Sequence, residues 1–345
     1  MILVTGGAGF IGTNFILDWL ALHDEPILNI DKLTYAGNRD NLRSIEGDDR
    51  HVFEQGDIAD ARWVMGLLEK HQPRAIINFA AESHVDRSIH CAENFVQTNI
   101  VGVFRLLEAA RAYWSGLHGD KRAGFRFLQV STDEVYGSLA PAAAAFRETD
   151  RYEPNSPYSA SKAAADHLVR ASHRTHGLPV LTTNCANNYG PYQFPEKLIP
   201  LMINRAIAGQ PLPVYGDGWQ VRDWLYVKDH CKAVRLVLEA GLPGETYNVG
   251  CSDERHNIDV VKAICVLLDE LHPRIDAVTY MNQITHVADR PGHDTRYAID
   301  PGKIKVELGW HAEKNFEDGL RETIRWYLQN QGWVADVQNR SVAAR

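Results

Sequence analysis

Two short runs carry side chains whose types and spacing could do chemistry: Ser131-Thr132-Asp133-Glu134-Val135-Tyr136-Gly137 and Tyr158-Ser159-Ala160-Ser161-Lys162. On a helix, a tyrosine and a lysine four positions apart share one face. Such a pair suits alcohol oxidation, the tyrosine taking the hydroxyl proton while a hydride leaves. A free tyrosine titrates near 10, so lowering it by about three units takes about 4 kcal/mol of preferential phenolate stabilisation. A neighbouring ammonium and an oxidised nicotinamide ring are sources for it. Oxidation of an alcohol to a ketone acidifies the next C–H, and a positioned carboxylate removes that proton with an advantage of roughly 10²–10⁴-fold. A second carboxyl, kept protonated, serves a departing hydroxyl. Thr132, Asp133, Glu134, Tyr158 and Lys162 together suit a sugar that is oxidised, dehydrated and reduced again.

These side chains need elements to hold them. Asp-Glu occurs four times, at 24–25, 133–134, 253–254 and 269–270, but only the second pair follows a buried-strand pattern, Phe125-Arg126-Phe127-Leu128-Gln129-Val130. That places Asp133 and Glu134 at the carboxyl end of a strand, where open α/β sheets bind their ligands. Side chains alternate along a strand, so Thr132 and Glu134 align and Asp133 does not. Both acids meet one substrate only if the chain leaves extended geometry there. Asn155-Ser156-Pro157 supplies capping and a fixed entry, which predicts a helix start just before Tyr158.

The amino-terminal half predicts a dinucleotide site. Met1 to Thr5 is an apolar, β-prone run ending in Gly6-Gly7-Ala8-Gly9-Phe10-Ile11-Gly12, and the helix-period segment Phe15 to Leu20 follows. Glycines 6, 9 and 12 tighten the turn, let backbone approach a pyrophosphate and let helix pack on sheet, while the helix start offers its N–H groups to the phosphate. Ile27-Leu28-Asn29-Ile30 reads as a second strand capped by Asp31, 19 residues after Gly12. There an acid accepts hydrogen bonds from the adenosine ribose and repels a 2′-phosphate, which favours NAD over NADP. Lys32, Leu33 and Thr34 beside it are further cofactor candidates. Asp57 and Ile58 follow a third strand and suit contact with adenine. Ala75 to Ala81 reads as a fourth strand, whose small Ala80 and Ala81 let the cofactor lie close. Thr98 and Asn188 complete the cofactor set. Ala92 to Trp114 predicts one long helix, apolar round much of its surface, either core or a dimer face.

The chain has 345 residues, 45% apolar and 9% aromatic, with a net charge of −8. That suits one large α/β domain, or a main domain with a smaller lobe. The acidic balance argues against a nucleic-acid face, and the apolar runs are too short and too interrupted for a membrane span. Met1 leads straight into the first strand, predicting no signal peptide. The five cysteines, at 91, 185, 231, 251 and 265, have no metal or redox spacing. Reduced cytoplasmic thiols are the simplest reading, and His84/His90 and His173/His176 lack a ligand set, so no metal is expected.

Taken together, the chain resembles an extended short-chain dehydrogenase/reductase, and more closely the dTDP-glucose 4,6-dehydratases of rhamnose-type deoxysugar synthesis. The stretches that carry the resemblance are Asp31 to Asn38, Ala80 to Ser88, Ser131 to Gly137, Tyr158 to Lys162, Asn184 to Pro200, Arg222 to Val227 and Ala288 to His293. The resemblance runs from Met1 to about Trp333. It implies a Rossmann-type doubly wound parallel sheet over residues 1–186 and a smaller α/β nucleotide-sugar lobe over 187–345, with the chain free to cross between them. It further implies that Tyr158 is the oxidation base, Lys162 its partner and Thr132 a hydrogen bond to the oxidised position. Glu134 then abstracts the C5 proton and Asp133 protonates the departing C6 hydroxyl, with NAD retained throughout. The implied substrate pocket comprises Ser83, Asn187, Lys197, Leu198, Arg222, Asn257, Asp289, Arg290 and His293, with Pro213, Val214 and Tyr215 along the base. A diphosphate needs a few well-placed cations even on an acidic protein. The expected assembly is a homodimer through the helix near 92–114 and the one beginning near 157.

Two departures from the family pattern stand out. The stretch Leu139 to Ala145 is short and alanine-rich where relatives carry a longer polar loop, and the sequence ends at Arg345 without a further aromatic tail. The first should alter a surface connection; the second bears on one edge of the substrate pocket. Other readings on the same scaffold are a 4-epimerase, a uronic-acid decarboxylase and a non-catalytic NAD sensor. An epimerase has no need of adjacent acids for elimination, a decarboxylase no use for an acid serving a hydroxyl, and a sensor no use for Tyr158 and Lys162.

Overall fold

A computed structural model describes residues 1–289 and 292–343, with side chains to residue 339. Its centre is a seven-stranded sheet built from β1 (Ile2–Thr5), β2 (Ile27–Asp31), β3 (His51–Gln55), β4 (Ala75–Asn78), β5 (Arg126–Thr132), β6 (Val180–Cys185) and, much later in the chain, β10 (Thr246–Val249). The order across the sheet is β10-β6-β5-β4-β1-β2-β3 and every neighbouring pair is parallel. The order reverses between β1 and β4, which opens a crevice at the carboxyl ends of those strands. This is the Rossmann-type doubly wound sheet that the strand–glycine-turn–helix pattern implies.

Alternation along the strands explains why both faces are covered. Ile2 and Val4 pack with Phe15, Ile16 and Trp19 of the helix Phe10–Leu22, whereas Leu3 packs the other way with Leu28, Ile76, Phe127 and Leu106. Each such side chain, fully buried, contributes about 1.5–3 kcal/mol.

The smaller lobe holds β7 (Asn187–Tyr189), β9 (Val221–Tyr226) and β11 (Glu254–His256) in one sheet, with β7 parallel and β11 antiparallel to β9. A second pair joins β8 (Leu212–Tyr215) in parallel to β12 (Ile284–Val287). The helices Leu198–Ile207, Asn257–Leu271 and Phe316–Gln329 close its core on Tyr189, Trp224, Ile264, Phe316 and Tyr327. After β9 the chain returns: the helix Val227–Ala240 packs on the helix Phe10–Leu22, and β10 takes the open edge of the large sheet.

The segment read as one helix over 92–114 is a helical run with a π-helical middle: Ala92–Phe95, then π-helix over Val96–Gly102, then Val103–Ser115. The widened turn carries Asn99, buried, whose side-chain oxygen accepts the Glu82 N–H at 2.9 Å and whose amide donates to Ser161 Oγ at 2.8 Å. The alanine-rich stretch lies over the segment 296–299, through Leu139 N–H to the Arg296 carbonyl (2.9 Å) and a bridge between Phe146 and Ile299. At the carboxyl end Trp333 donates its indole N–H to Asn41 Oδ1 at 2.7 Å and closes on Tyr192 and Trp326, joining the last helix to the first lobe. No helix among the described residues is long and apolar enough to cross a membrane.

Candidate active site

The glycine turn explains its own composition. Gly6 sits at φ 70° with the Ala80 backbone so close that a Cβ would stand 2.6 Å from its nitrogen. At Gly12 a Cβ would meet the Gly6 carbonyl oxygen at 2.3 Å, so only glycine lets the helix close on the turn. No side chain caps that helix start at Gly9, which leaves the N–H groups around Phe10, Ile11 and Gly12 aimed at the crevice. At the end of β2, Asp31 accepts the Ala8 N–H (2.9 Å) through Oδ2 and the Leu33 N–H (2.7 Å) through Oδ1. Burial pushes its carboxyl up and these two bonds pull it back.

From this cradle a cleft of about 290 Å³ runs to the catalytic candidates. Lys32, Thr34, Asp57, Ile58, Ala80, Ala81, Thr98 and Asn188 all line it, and Lys32 pairs with Asp57 at 2.7 Å. Leu33 does not line it; its backbone, at φ 57°, serves Asp31. A cradle that admits no Cβ, an uncapped helix start and a carboxylate at the tip of β2 fit a dinucleotide.

At the far end the strand stops where the chemistry needs it to stop. β5 ends at Thr132, and Asp133–Tyr136 turn into one 3₁₀ turn with Thr132 as its cap, Oγ1 accepting the Glu134 N–H at 3.3 Å. The chain thus leaves extended geometry at the residue where alternation would have separated the two acids, and both line the cleft. Their environments differ. Asp133 is 2% exposed, takes one bond from the Thr132 hydroxyl (3.3 Å), and has Oδ2 buried with no hydrogen-bond partner. Burial, then the Glu134 and Asp223 carboxylates, hold its pKa well above the usual range, with Arg222 opposing. Asp133 is thus the acid of the two whose surroundings favour the protonated form, while Glu134 is only half-buried.

The helix Pro157–His176 begins with a capping box between Ser156 and Ser159 and proline at its first position, as the Asn-Ser-Pro run predicts. It brings Tyr158 and Lys162 into the cleft from the side. Burial, the Glu134 carboxylate and Cys185 push the Tyr158 phenol well above its ordinary value, and a Thr132 hydrogen bond works against them. Burial lowers the Lys162 pKa, and its ammonium donates to the Val130 carbonyl at 2.8 Å. The chain by itself does not make the phenolate easy.

Of the substrate candidates, Ser83, Asn187 and Lys197 line the same cleft, with Lys197 donating to the Ser83 carbonyl at 2.9 Å. Arg222 is buried on β9, donates to the Val221 and Asp294 carbonyls at 2.7 and 2.9 Å and stacks over Tyr297. Its charge reaches Asp133, which ties it to the catalytic end. Leu198 opens the helix Leu198–Ile207, Pro213, Val214 and Tyr215 lie on β8, and Asn257 opens the helix Asn257–Leu271. Asp289 and His293 join at 2.7 Å beside the Tyr215 ring. None of these last seven lines the cleft, and Arg290 lies outside the described residues. The structure also brings in residues the sequence did not single out: Tyr35, Glu82, Cys185 and Glu196 on the cleft wall, and Asp166 one helical turn beyond Lys162. Tyr35, Glu82, Cys185 and Glu196 fall inside the stretches that carry the family resemblance, and the signal for Asp166 is its spacing of four from Lys162.

Residues 3–323 match the family model described as GDP-mannose 4,6 dehydratase. The chain is 61% identical over 339 residues to the dTDP-glucose 4,6-dehydratase of Xanthomonas campestris pv. campestris strain B100, covering 98% of this chain and 96% of that protein. The chain belongs to the dTDP-glucose 4,6-dehydratase family. Among solved structures it is similar to the dTDP-glucose 4,6-dehydratase DesIV from Streptomyces venezuelae, solved with NAD bound: TM-score 0.88, 44% identity, 97% of this chain and 99% of that one. The UDP-glucose 4-epimerase of Thermotoga maritima shares the fold at TM-score 0.84 and 27% identity, covering 96% of this chain and 99% of that one. The dehydratase family and the epimerase thus have one scaffold, and the side chains at the end of β5 have to separate them.

Proposed function

We propose that the chain is an NAD-dependent hydro-lyase that converts dTDP-glucose to its 4-keto-6-deoxy product. The observation that carries this is the 3₁₀ turn after β5, which turns two carboxyls, one fully buried and one half-buried, toward one cleft with Tyr158. Neither an epimerase nor a sensor has a use for that pair. NAD, when bound, supplies the hydride acceptor for C4, the donor for C6 and a positive ring that favours the Tyr158 phenolate. Tyr158 takes the C4 hydroxyl proton, Lys162 supports it with positive charge, and Thr132 hydrogen-bonds the oxygen being oxidised. Glu134 removes the C5 proton, Asp133 in its protonated form gives its proton to the C6 hydroxyl as it leaves as water, and Glu134 returns a proton to C5 as hydride reaches C6. Ser83, Asn187, Lys197 and Arg222, with Tyr215, Asn257, Asp289 and His293 and with Arg290 as the family resemblance implies, hold the nucleotide diphosphate. Residues 1–186, joined by β10, form the cofactor lobe, and most of 187–345 the substrate lobe.

The same reading takes the enzyme as a cytoplasmic homodimer of rhamnose-type deoxysugar synthesis. Apolar Val96 and Phe104, 42% and 41% exposed on the helical run, support pairing with a second copy through that run and the helix Pro157–His176. Incubation of the purified protein with dTDP-, UDP-, CDP- and GDP-glucose, followed by mass spectrometry, tests the reaction. Loss of one water from dTDP-glucose is expected; epimerised but intact sugar, or no change with any of the four, overturns it.

A further inference from the structure

Asp166 is a buried carboxylate that the reaction as written does not use. It lies four residues after Lys162 and eight after Tyr158 on the helix Pro157–His176, so the three side chains form a stack on one side of that helix. It is 5% exposed. Ser131 on β5 donates its hydroxyl to Asp166 Oδ2 at 2.6 Å, and the Tyr152 hydroxyl is the other polar neighbour of that carboxylate. Ser131 stands between Val130, whose carbonyl accepts the Lys162 ammonium at 2.8 Å, and Thr132, which caps the turn carrying both catalytic acids.

We propose that Asp166 is a positioning residue for the oxidation step: through Ser131 it locks the end of β5 against the helix of Tyr158, and one helical turn from Lys162 it serves as the counter-charge of that ammonium. This rests on the dehydratase reading for its role in turnover, but not for the Lys162 interaction itself. The geometry supports it first: Ser131 ties Asp166 to the strand whose Val130 carbonyl holds the Lys162 ammonium. Burial lowers the Lys162 pKa, and Asp166 is the first group that opposes this, followed by Cys185. Burial in turn pushes Asp166 up to about 7, against Lys162, Ser131 and Tyr152, so the two groups titrate as neighbours. The titratable groups that face Asp166 are Lys162 on its own helix and, from the segment after β5, Tyr152 and Tyr136, both of which it pushes up. Lys162 is the cation among them.

The test separates charge from tether. Asp166→Asn keeps an acceptor for Ser131 and removes the charge; Ser131→Ala keeps the charge and removes the bond. The full-length chain as purified, carbon-13-labelled at the lysine ε-carbons, is titrated by NMR with Lys162 assigned through Lys162→Arg. Asp166→Asn should lower the Lys162 midpoint by a unit or more, a tenfold change in its protonation constant, and Ser131→Ala should leave it within a few tenths of a unit. In single-turnover sugar oxidation, the alkaline limb of the rate should move down in pH with Asp166→Asn and stay in place with Ser131→Ala. A merely structural role predicts slower rates for both variants with unmoved limbs. The wild type carries its own check should Asp166→Asn fail to fold: its Lys162 signal should inflect near neutral pH as Asp166 ionises. An unmoved Lys162 midpoint in Asp166→Asn, or no inflection in the wild type, overturns the proposal. Because the NMR titration needs no sugar, its result stands apart from that of the water-loss assay.

Discussion

Glu134→Gln separates oxidation from elimination. Glutamine keeps the size of the side chain and leaves intact the Glu134 N–H bond to Thr132 that shapes the turn. It cannot take a proton from C5. General-base assistance is worth roughly 10²–10⁴-fold, or about 3–5 kcal/mol on the barrier to elimination. The structure adds a second, opposite effect. The Glu134 carboxylate is the main charge that pushes up the pKa values of Tyr158 and Asp133. Removing it lowers both, so at a given pH more Tyr158 is available as the phenolate and the acid limb of oxidation moves to lower pH. The variant should therefore oxidise sugar at least as readily below neutrality as the wild type, yet lose water 10²–10⁴-fold more slowly. The assay is a single-turnover mix followed in parallel by absorbance of the reduced cofactor and by product mass, repeated across pH. Reduced cofactor should build up, with little 4-keto-6-deoxy product and slow exchange of the C5 hydrogen with heavy water. Unchanged dehydration with no such build-up removes Glu134 from the mechanism and would falsify the division of labour between the two acids.

Other expectations follow from single contacts. Tyr158→Phe keeps the buried ring and loses the base, so formation of reduced cofactor should collapse while the dissociation constant for dTDP-glucose stays within a few-fold; a wild-type rate of oxidation refutes the role. In Asp133→Asn, the sign comes from linkage: a carboxyl whose folded pKa is raised binds more protons than the unfolded chain between the ordinary value and its own, so it loses stability as pH rises through that window. The variant should thus melt higher than the wild type at pH 7 by calorimetry while losing elimination, and a lower melting point contradicts the assignment of Asp133 as the acid whose surroundings favour the protonated form. Gly12→Ala forces a Cβ to 2.3 Å from the Gly6 carbonyl oxygen. It should cost about 1–3 kcal/mol and strip bound NAD, read by denaturation and cofactor content, and a normal NAD load would show that the cradle is not the site. Asp31→Asn should narrow the preference for NAD over NADP in a titration, and an unchanged ratio removes Asp31 from the ribose site.

The cofactor end of the site was legible because each of its demands is local. A glycine turn, its neighbouring strands and an acid at the next strand tip all follow from spacing, and the structure realises them within a residue or two. The end of β5 was legible only in part. Alternation showed that Asp133 and Glu134 conflict on a strand, but the 3₁₀ turn that resolves the conflict depends on Thr132 acting as a cap, which the residue types alone do not dictate. The π-helical turn at Val96–Gly102 was not legible, since the apolar period there suits an ordinary helix and the partners of Asn99, Glu82 and Ser161, are distant in the chain. Burial was the least visible quantity. Residue types place Asp133 and Arg222 at the site but not how deep they lie; the fold buries Arg222 against the Tyr297 ring and leaves Asp133 only 2% exposed.

The return of β10 to the large sheet has a consequence for how the protein is made. Residues 1–185 contain six of the seven strands, but β6 keeps an unpaired edge until Thr246–Val249 arrive. During synthesis from the amino terminus, the small lobe's first strands and the helix Val227–Ala240 must emerge before that edge is covered. An exposed parallel strand edge is a template for pairing with other chains. A fragment cut at the lobe boundary should therefore self-associate rather than bind NAD as an independent unit. Loss of the loop between the lobes by proteolysis should likewise leave two pieces held together by strand pairing. The two lobes are interlocked by topology, so the cofactor sheet is completed only by residues that have already passed through the substrate side.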